Sequence, residues 1–246
     1  MPVHTTLIPA ENLVLPAIYS GSPSHHSVVI VLHGLGVSKE VQIPELQRLK
    51  ASGMFAVAID APHHGERDDG YLQLMDRQKS DLDKHLFLLK IVFQQAAEVS
   101  ALINFYKAQQ KKVAVVGISM GGFSAFAILG NRVKADLIAP FLASPDFRCK
   151  LRPENLPLTI PEQSGPFDSA DFDFSQHLLM VNAGNDKVVD IAPCASFFNR
   201  LKGNKDFDAR RIEFHQYSGS DHFMKPADWC DAWEKLTDKL SRLNFQ

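Results

Sequence analysis

Ser119 stands in Gly117-Ile118-Ser119-Met120-Gly121-Gly122, a G-x-S-x-G pattern. A serine hydroxyl attacks a carbonyl only when a base takes its proton and something receives the charge that develops on oxygen. The flanking residues suit that chemistry. A serine at the tip of a very tight strand-to-helix turn needs a strained backbone, and side chains two positions either side would collide, so glycine belongs there. A helix starting at the serine points its first amides and its dipole at the developing charge. His33-Gly34-Leu35-Gly36, at the end of an earlier apolar run, supplies free backbone amides in a glycine-rich turn. The expected oxyanion donors are the amides of Leu35 and Met120, with Gly36 as the fallback for the first.

Ten histidines compete for the base. His222, in Gly219-Ser220-Asp221-His222-Phe223, falls between the last strand pattern and the last helix pattern, on the sheet edge expected for Ser119. His215 lies inside a strand pattern and reads as structural. His25, His26, His63 and His64 are adjacent pairs without the carboxylate–histidine spacing of a metal site. For the acid, Asp186 follows the run Leu178 to Val181 in a turn-forming context, and the order serine, acid, histidine fits the three positions. Asp146 is the runner-up acid. Asp221 sits too close to the histidine in sequence, and Asp190 reads as a helix cap.

These residues need a sheet to bring them together. Val28 to Leu32 is a continuous apolar run, as in a strand buried on both faces, and Phe55 to Ile59, Val113 to Ile118 and Leu178 to Val181 repeat it. Leu137 to Leu142 does so with Pro140 interrupting. Arg211 to Tyr217 alternates like a strand near an edge, and Leu13 to Tyr19 suits an antiparallel strand. Leu82, Leu86, Leu89, Phe93, Ala96, Ile103 and Tyr106 make one helical stripe; Trp229, Trp233, Leu236, Leu240 and Leu243 make another. The alternation predicts an α/β fold with a mainly parallel twisted sheet and helices on both faces, in one domain over residues 1–246. Residues 144–176 break the pattern with five prolines and interleaved Phe and Asp, and are expected to form a small lid or a loop insertion over the active-site edge.

The 246 residues carry 45% hydrophobic and 22% charged side chains and a net charge of -2, which argues against bulk disorder and against a nucleic-acid partner. Mean hydropathy is -0.11, and no apolar run is expected to reach the ~20 residues of a membrane span. The N-terminal segment lacks the basic start of a secretory signal. Cys149, Cys194 and Cys230 are odd in number and widely spaced, which suggests neither a disulfide framework nor a zinc cluster and points to a cytoplasmic setting.

With these motifs in this order, the chain resembles the α/β-hydrolase superfamily. The residues that carry the likeness are His33 to Gly36, Gly117 to Gly122, Asp186 and Gly219 to His222. Asp60-Ala61-Pro62-His63-His64-Gly65-Glu66-Arg67 further resembles a loop of small bacterial esterases of the dienelactone-hydrolase and prolyl-oligopeptidase-like branch. The chain differs from dienelactone hydrolase in having serine where that enzyme has cysteine, and it lacks the propeller domain of prolyl oligopeptidases. The resemblance implies a serine hydrolase that cleaves a small or medium carboxylic ester through an acyl-enzyme, with Ser119 as nucleophile, His222 as base and Asp186 as the orienting acid. It needs no metal or organic cofactor, and its expected partner is a small-molecule ester, with no membrane. A thioesterase or amidase would use the same triad, and a binding protein could sit on the same scaffold. His64, Glu66 and Arg67 are expected to tie down a loop at the rim. Neither the oligomeric state nor the substrate-binding residues can be read from the sequence.

Overall fold

The computed structural model describes residues 3–11, 13–130, 133–148 and 172–246. Its frame is one eight-stranded sheet in the order β1-β2-β4-β3-β5-β6-β7-β8. The strands are β1 (His4–Ala10), β2 (Leu13–Ser20), β3 (Ser27–Leu32), β4 (Ala56–Ile59), β5 (Lys112–Ile118), β6 (Leu137–Phe141), β7 (His177–Ala183) and β8 (Ile212–Tyr217). From β4 to β8 every neighbouring pair is parallel. β2 pairs antiparallel with both β1 and β4, so it alone runs against the rest. The mainly parallel sheet is as the sequence implied. β1 is an addition to that reading.

The apolar runs are strands because both of their faces are covered. All six residues of β3 are buried. Val28, Ile30 and Leu32 join a core that includes Val99 and Ile103 of α3 (Asp81–Ala108) and Phe123 and Phe126 of α4 (Met120–Leu129). Val29 and Val31 join the opposite core, with Leu46 and Leu49 of α1 (Ile43–Ala51) and Trp233 and Leu236 of α6 (Pro226–Arg242). α2 (Tyr71–Asp76) and α5 (Ala192–Lys202) are the other α-helices among the described residues. Each buried branched side chain contributes about 1.5–3 kcal/mol relative to exposure. Pro140 does not end β6: the strand pairs with β5 through it, while pairing with β7 skips from Ile138 to Phe141 because proline has no N–H to give.

α3 corrects one expectation. Its 28 residues include a stretch long and apolar enough to span a bilayer by composition, and 56% of that stretch is buried inside the fold. The single stripe read from the sequence is therefore too narrow. Ile91, Val92, Val99 and Leu102 are buried as well, because the helix packs against the sheet, α4 and α2 together. Asp190 is not the helix cap the sequence suggested: Ile191 holds the N-cap position without a side-chain cap bond, and Asp190 Oδ1 instead accepts the amide of Ala192, two residues on, at 2.9 Å. The expected lid or insertion at 144–176 falls mostly on residues 149–171, which lie outside the described residues, as does Cys149. Cys194 is buried and Cys230 exposed, both as free thiols.

Candidate functional site

Ser119 sits between the last residue of β5 and the first of α4 with φ +54° and ψ -115°. Such a backbone costs about 1–3 kcal/mol and persists only where its surroundings enforce it. Two close approaches enforce it here. A Cβ on Gly117 would lie 1.9 Å from the carbonyl oxygen of Gly121, and one on Gly121 would lie 2.6 Å from that of Leu32. The Ser119 amide donates to Phe141 O on β6 at 2.9 Å, and the Gly121 amide donates to His33 O at 3.1 Å. The turn is thus stitched to both neighbouring strands.

The structure brings Ser119, His222 and Asp186 together across 103 and 36 residues of chain. Ser119 Oγ lies 3.0 Å from His222 Nε2, and His222 Nδ1 lies 2.7 Å from Asp186 Oδ2. A carboxylate oxygen only accepts, so the ring carries its proton on Nδ1 and presents a lone pair on Nε2 to the serine hydroxyl. The Asp186 side chain is 1% exposed. Its other oxygen, Oδ1, accepts the amides of Val188 and Val189 at 2.7 and 2.8 Å, which fixes which oxygen faces the histidine.

The remaining candidates separate clearly. Asp146 is not the histidine's partner: its Oδ1 accepts from Arg148 Nε at 3.1 Å and its Oδ2 from Arg148 Nη2 at 3.3 Å. Asp221 accepts the amide of Phe223. Leu35 and Met120 both line the cavity into which Ser119 opens, and among the described residues neither amide is engaged in a hydrogen bond. The fallback donor Gly36 is overturned, because its N–H is committed to His64 Nε2 at 3.1 Å. The cavity is about 550 Å³ and is walled mainly by apolar side chains, among them Leu88, Phe123, Leu142 and Val189. Leu35, Val37, Val41, Val188 and Phe223 line it while remaining exposed.

A family model for the alpha/beta hydrolase family matches residues 29–242, most of the chain. The chain belongs to the alpha/beta hydrolase family. Among curated relatives it is 22% identical over 236 residues to "Putative esterase YitV" of Bacillus subtilis, covering 84% of this chain and 89% of that protein. Among solved structures it resembles the Pyrococcus furiosus esterase Pf2001 at 18% identity and a TM-score of 0.67, covering 98% of this chain and 92% of that one. It also resembles "Putative Dienelactone Hydrolase" from Klebsiella pneumoniae at 14% identity and a TM-score of 0.71, covering 98% of each chain. At these identities the structural likeness is one of fold.

What holds the 33–39 turn of this alpha/beta hydrolase in place had little trace in the sequence. Two buried imidazoles join it to the turn after β4. His33 Nδ1 donates to Gly34 O at 2.7 Å while its Nε2 accepts the Ala61 amide at 3.0 Å. His64 Nδ1 donates to Pro62 O at 2.7 Å while its Nε2 takes the Gly36 amide. Beside them, buried Asp60 accepts from Lys39 Nζ at 2.7 Å and from the amides of Lys39 and Glu66. Burial alone would lower the Lys39 pKa, but its bonds to Asp60 and Glu66 raise it above the ordinary lysine value. Arg67 forks onto Glu98 of α3 at 2.7 and 2.8 Å. His64, Glu66 and Arg67 therefore tie down the loop.

His33 has a consequence for acid stability. Burial pushes its pKa down from 6.5 to about 4, because a protonated Nε2 would face the Ala61 N–H in a site closed to water. Between those values the unfolded chain binds the proton and the folded chain does not, so stability rises with pH across the window and is lost as pH falls from 6.5 toward 4. A shift of that size is worth about 3 kcal/mol, fully present above the window. Urea denaturation at stepped pH is expected to show that slope, and His33→Gln to flatten it. An unchanged slope in the variant assigns the acid sensitivity to other groups.

Proposed function

We propose that this alpha/beta hydrolase is a serine carboxylesterase that works through an acyl-enzyme. The observation that carries the reading is the unbroken relay from Asp186 Oδ2 through the His222 ring to Ser119 Oγ, with both links at hydrogen-bond length, at the mouth of an apolar cavity. Ser119 Oγ attacks the ester carbonyl as its proton passes to His222 Nε2. Asp186 holds the ring and stabilises the imidazolium. The carbonyl oxygen, now negative, lies against the amides of Leu35 and Met120, where each donor is worth about 2.7–4 kcal/mol of barrier. His222 hands its proton to the departing alcohol; it then takes one from a water whose oxygen bonds the acyl carbon, and returns it to Ser119 Oγ as the Oγ–acyl bond breaks, which releases the acid and restores the serine.

The esterase names of the relatives support the choice of ester over thioester or amide. A cavity of about 550 Å³ with an apolar lining suits a small or medium acyl group. The test is covalent labelling with a fluorophosphonate followed by peptide mapping. One equivalent of label on Ser119 is expected, with none on a Ser119→Ala variant. A folded wild-type protein that takes up no label is a binding protein on this scaffold instead. Matched ester, thioester and amide substrates of one acyl group then rank the leaving groups.

A further inference from the structure

Gln42, Glu45 and Trp229 have no part in the acyl-transfer steps, yet all three line the cavity beside Ser119. They come from the α1/α6 side of the sheet, where Ile43 and Trp229 pack against one core. Leu88 and Phe123, on the α3/α4 side, belong to the other. Ser119 stands at the sheet edge between them, so the cleft has two unlike flanks.

The α1/α6 flank buries polar atoms that the fold leaves short of partners. Glu45 is 7% exposed and Gln42 4%. Glu45 Oε1 accepts the Trp229 indole N–H at 2.6 Å, and no described residue bonds its Oε2. The Gln42 carboxamide bonds to no described residue, and its Oε1 is buried without a partner. Burial pushes the Glu45 pKa up, partly offset by the Trp229 bond. Polar groups in an apolar wall are costly unless something pairs with them, and a bound molecule can supply the pairing. A carboxylate offers only acceptors, so the unbonded Glu45 Oε2 is the acceptor this wall turns to the cavity, whereas Gln42 Oε1 has no accessible surface.

We propose that Glu45, through Oε2, forms a substrate subsite for a hydrogen-bond-donating group, a hydroxyl or an ammonium, on an ester whose other half lies along Leu88 and Phe123. The subsite deepens the esterase reading and rests on it for its role in turnover. It selects amphiphilic esters with one apolar arm and one donor-bearing arm, and it disfavours anionic ones.

Titrimetric rates on ethyl butyrate, hydroxyethyl butyrate, ethyl β-hydroxybutyrate and dimethylaminoethyl butyrate read the selectivity. The first hydroxy ester carries its donor on the alcohol arm and the second on the acyl arm; the amino ester separates ammonium from hydroxyl. At least one donor-bearing ester is expected to exceed ethyl butyrate in kcat/KM by about 10-fold, the worth of one good polar contact. Glu45→Gln, which still offers the indole an acceptor, is expected to erase an ammonium preference, and Glu45→Leu, which removes every acceptor at the position, a hydroxyl preference. Four esters turned over within about 2-fold of one another, or a preference that both variants keep, overturns the subsite. If the wild-type protein hydrolyses none of them, the esterase reading has failed and binding decides the subsite alone. Indole fluorescence of the Ser119→Ala protein, titrated with dimethylaminoethyl butyrate, then gives either a saturable change that Glu45→Gln removes, which supports it, or no change, which overturns it.

Discussion

Ser119→Ala is expected to lower kcat on a short p-nitrophenyl ester by on the order of a million-fold, with KM little altered. The loss is large because Oγ forms the covalent bond, and no other hydroxyl is held against His222 Nε2 among the described residues. KM holds because ground-state contacts are made by the apolar walls and not by the hydroxyl. The fold is expected to tolerate the change. Alanine at φ +54° is no worse placed than serine, and the turn is held by Gly117, Gly121 and the amide bonds to Phe141 and His33, none of which involve Oγ. Single-turnover rates and a thermal melt on the same sample check both halves. Near-wild-type turnover by a well-folded variant removes Ser119 from the mechanism.

Much of this arrangement is legible because parallel sheets write themselves plainly. Val28 to Leu32 and Val113 to Ile118 read as buried strands because nothing polar is tolerated on either face. Gly117 and Gly121 read as an elbow because carbonyls at 1.9 and 2.6 Å leave no room for a Cβ. β1 was not legible. His4 to Ala10 alternates weakly and contains Pro9, and it forms a strand only because β2 offers an edge to pair with. The ties across the rim are invisible for a different reason. Lys39 and Asp60, or Arg67 and Glu98, stand 21 and 31 residues apart with no periodic relation, so only the folded turn reveals them as partners. The Gly36 fallback failed on one such tie, since nothing local marks His64 Nε2 as the acceptor of its amide. Trp229 was legible as part of a helical stripe, but not as a residue whose N–H meets Glu45 in the cavity wall.

Asp186→Asn is expected to cut kcat about 10⁴-fold at neutral pH, and the reason lies in which oxygen does what. Oδ1 is held by two amide donors, Val188 and Val189, so the asparagine oxygen must take that position. Its NH₂ group then occupies the place of Oδ2, 2.7 Å from His222 Nδ1. A donor there demands a lone pair on Nδ1 and drives the ring proton to Nε2. Nε2–H now points at Ser119 Oγ and cannot accept its proton, so the base is disabled with every heavy atom still in place. Stability should change little, because the two backbone amides keep their acceptor. Raising the pH is expected to recover part of the rate as hydroxide takes over the deprotonation, whereas an Asp146→Asn control should leave the profile of the wild-type protein intact. A kcat for Asp186→Asn within about 10-fold of wild type would mean that His222 does not depend on this carboxylate for its tautomer.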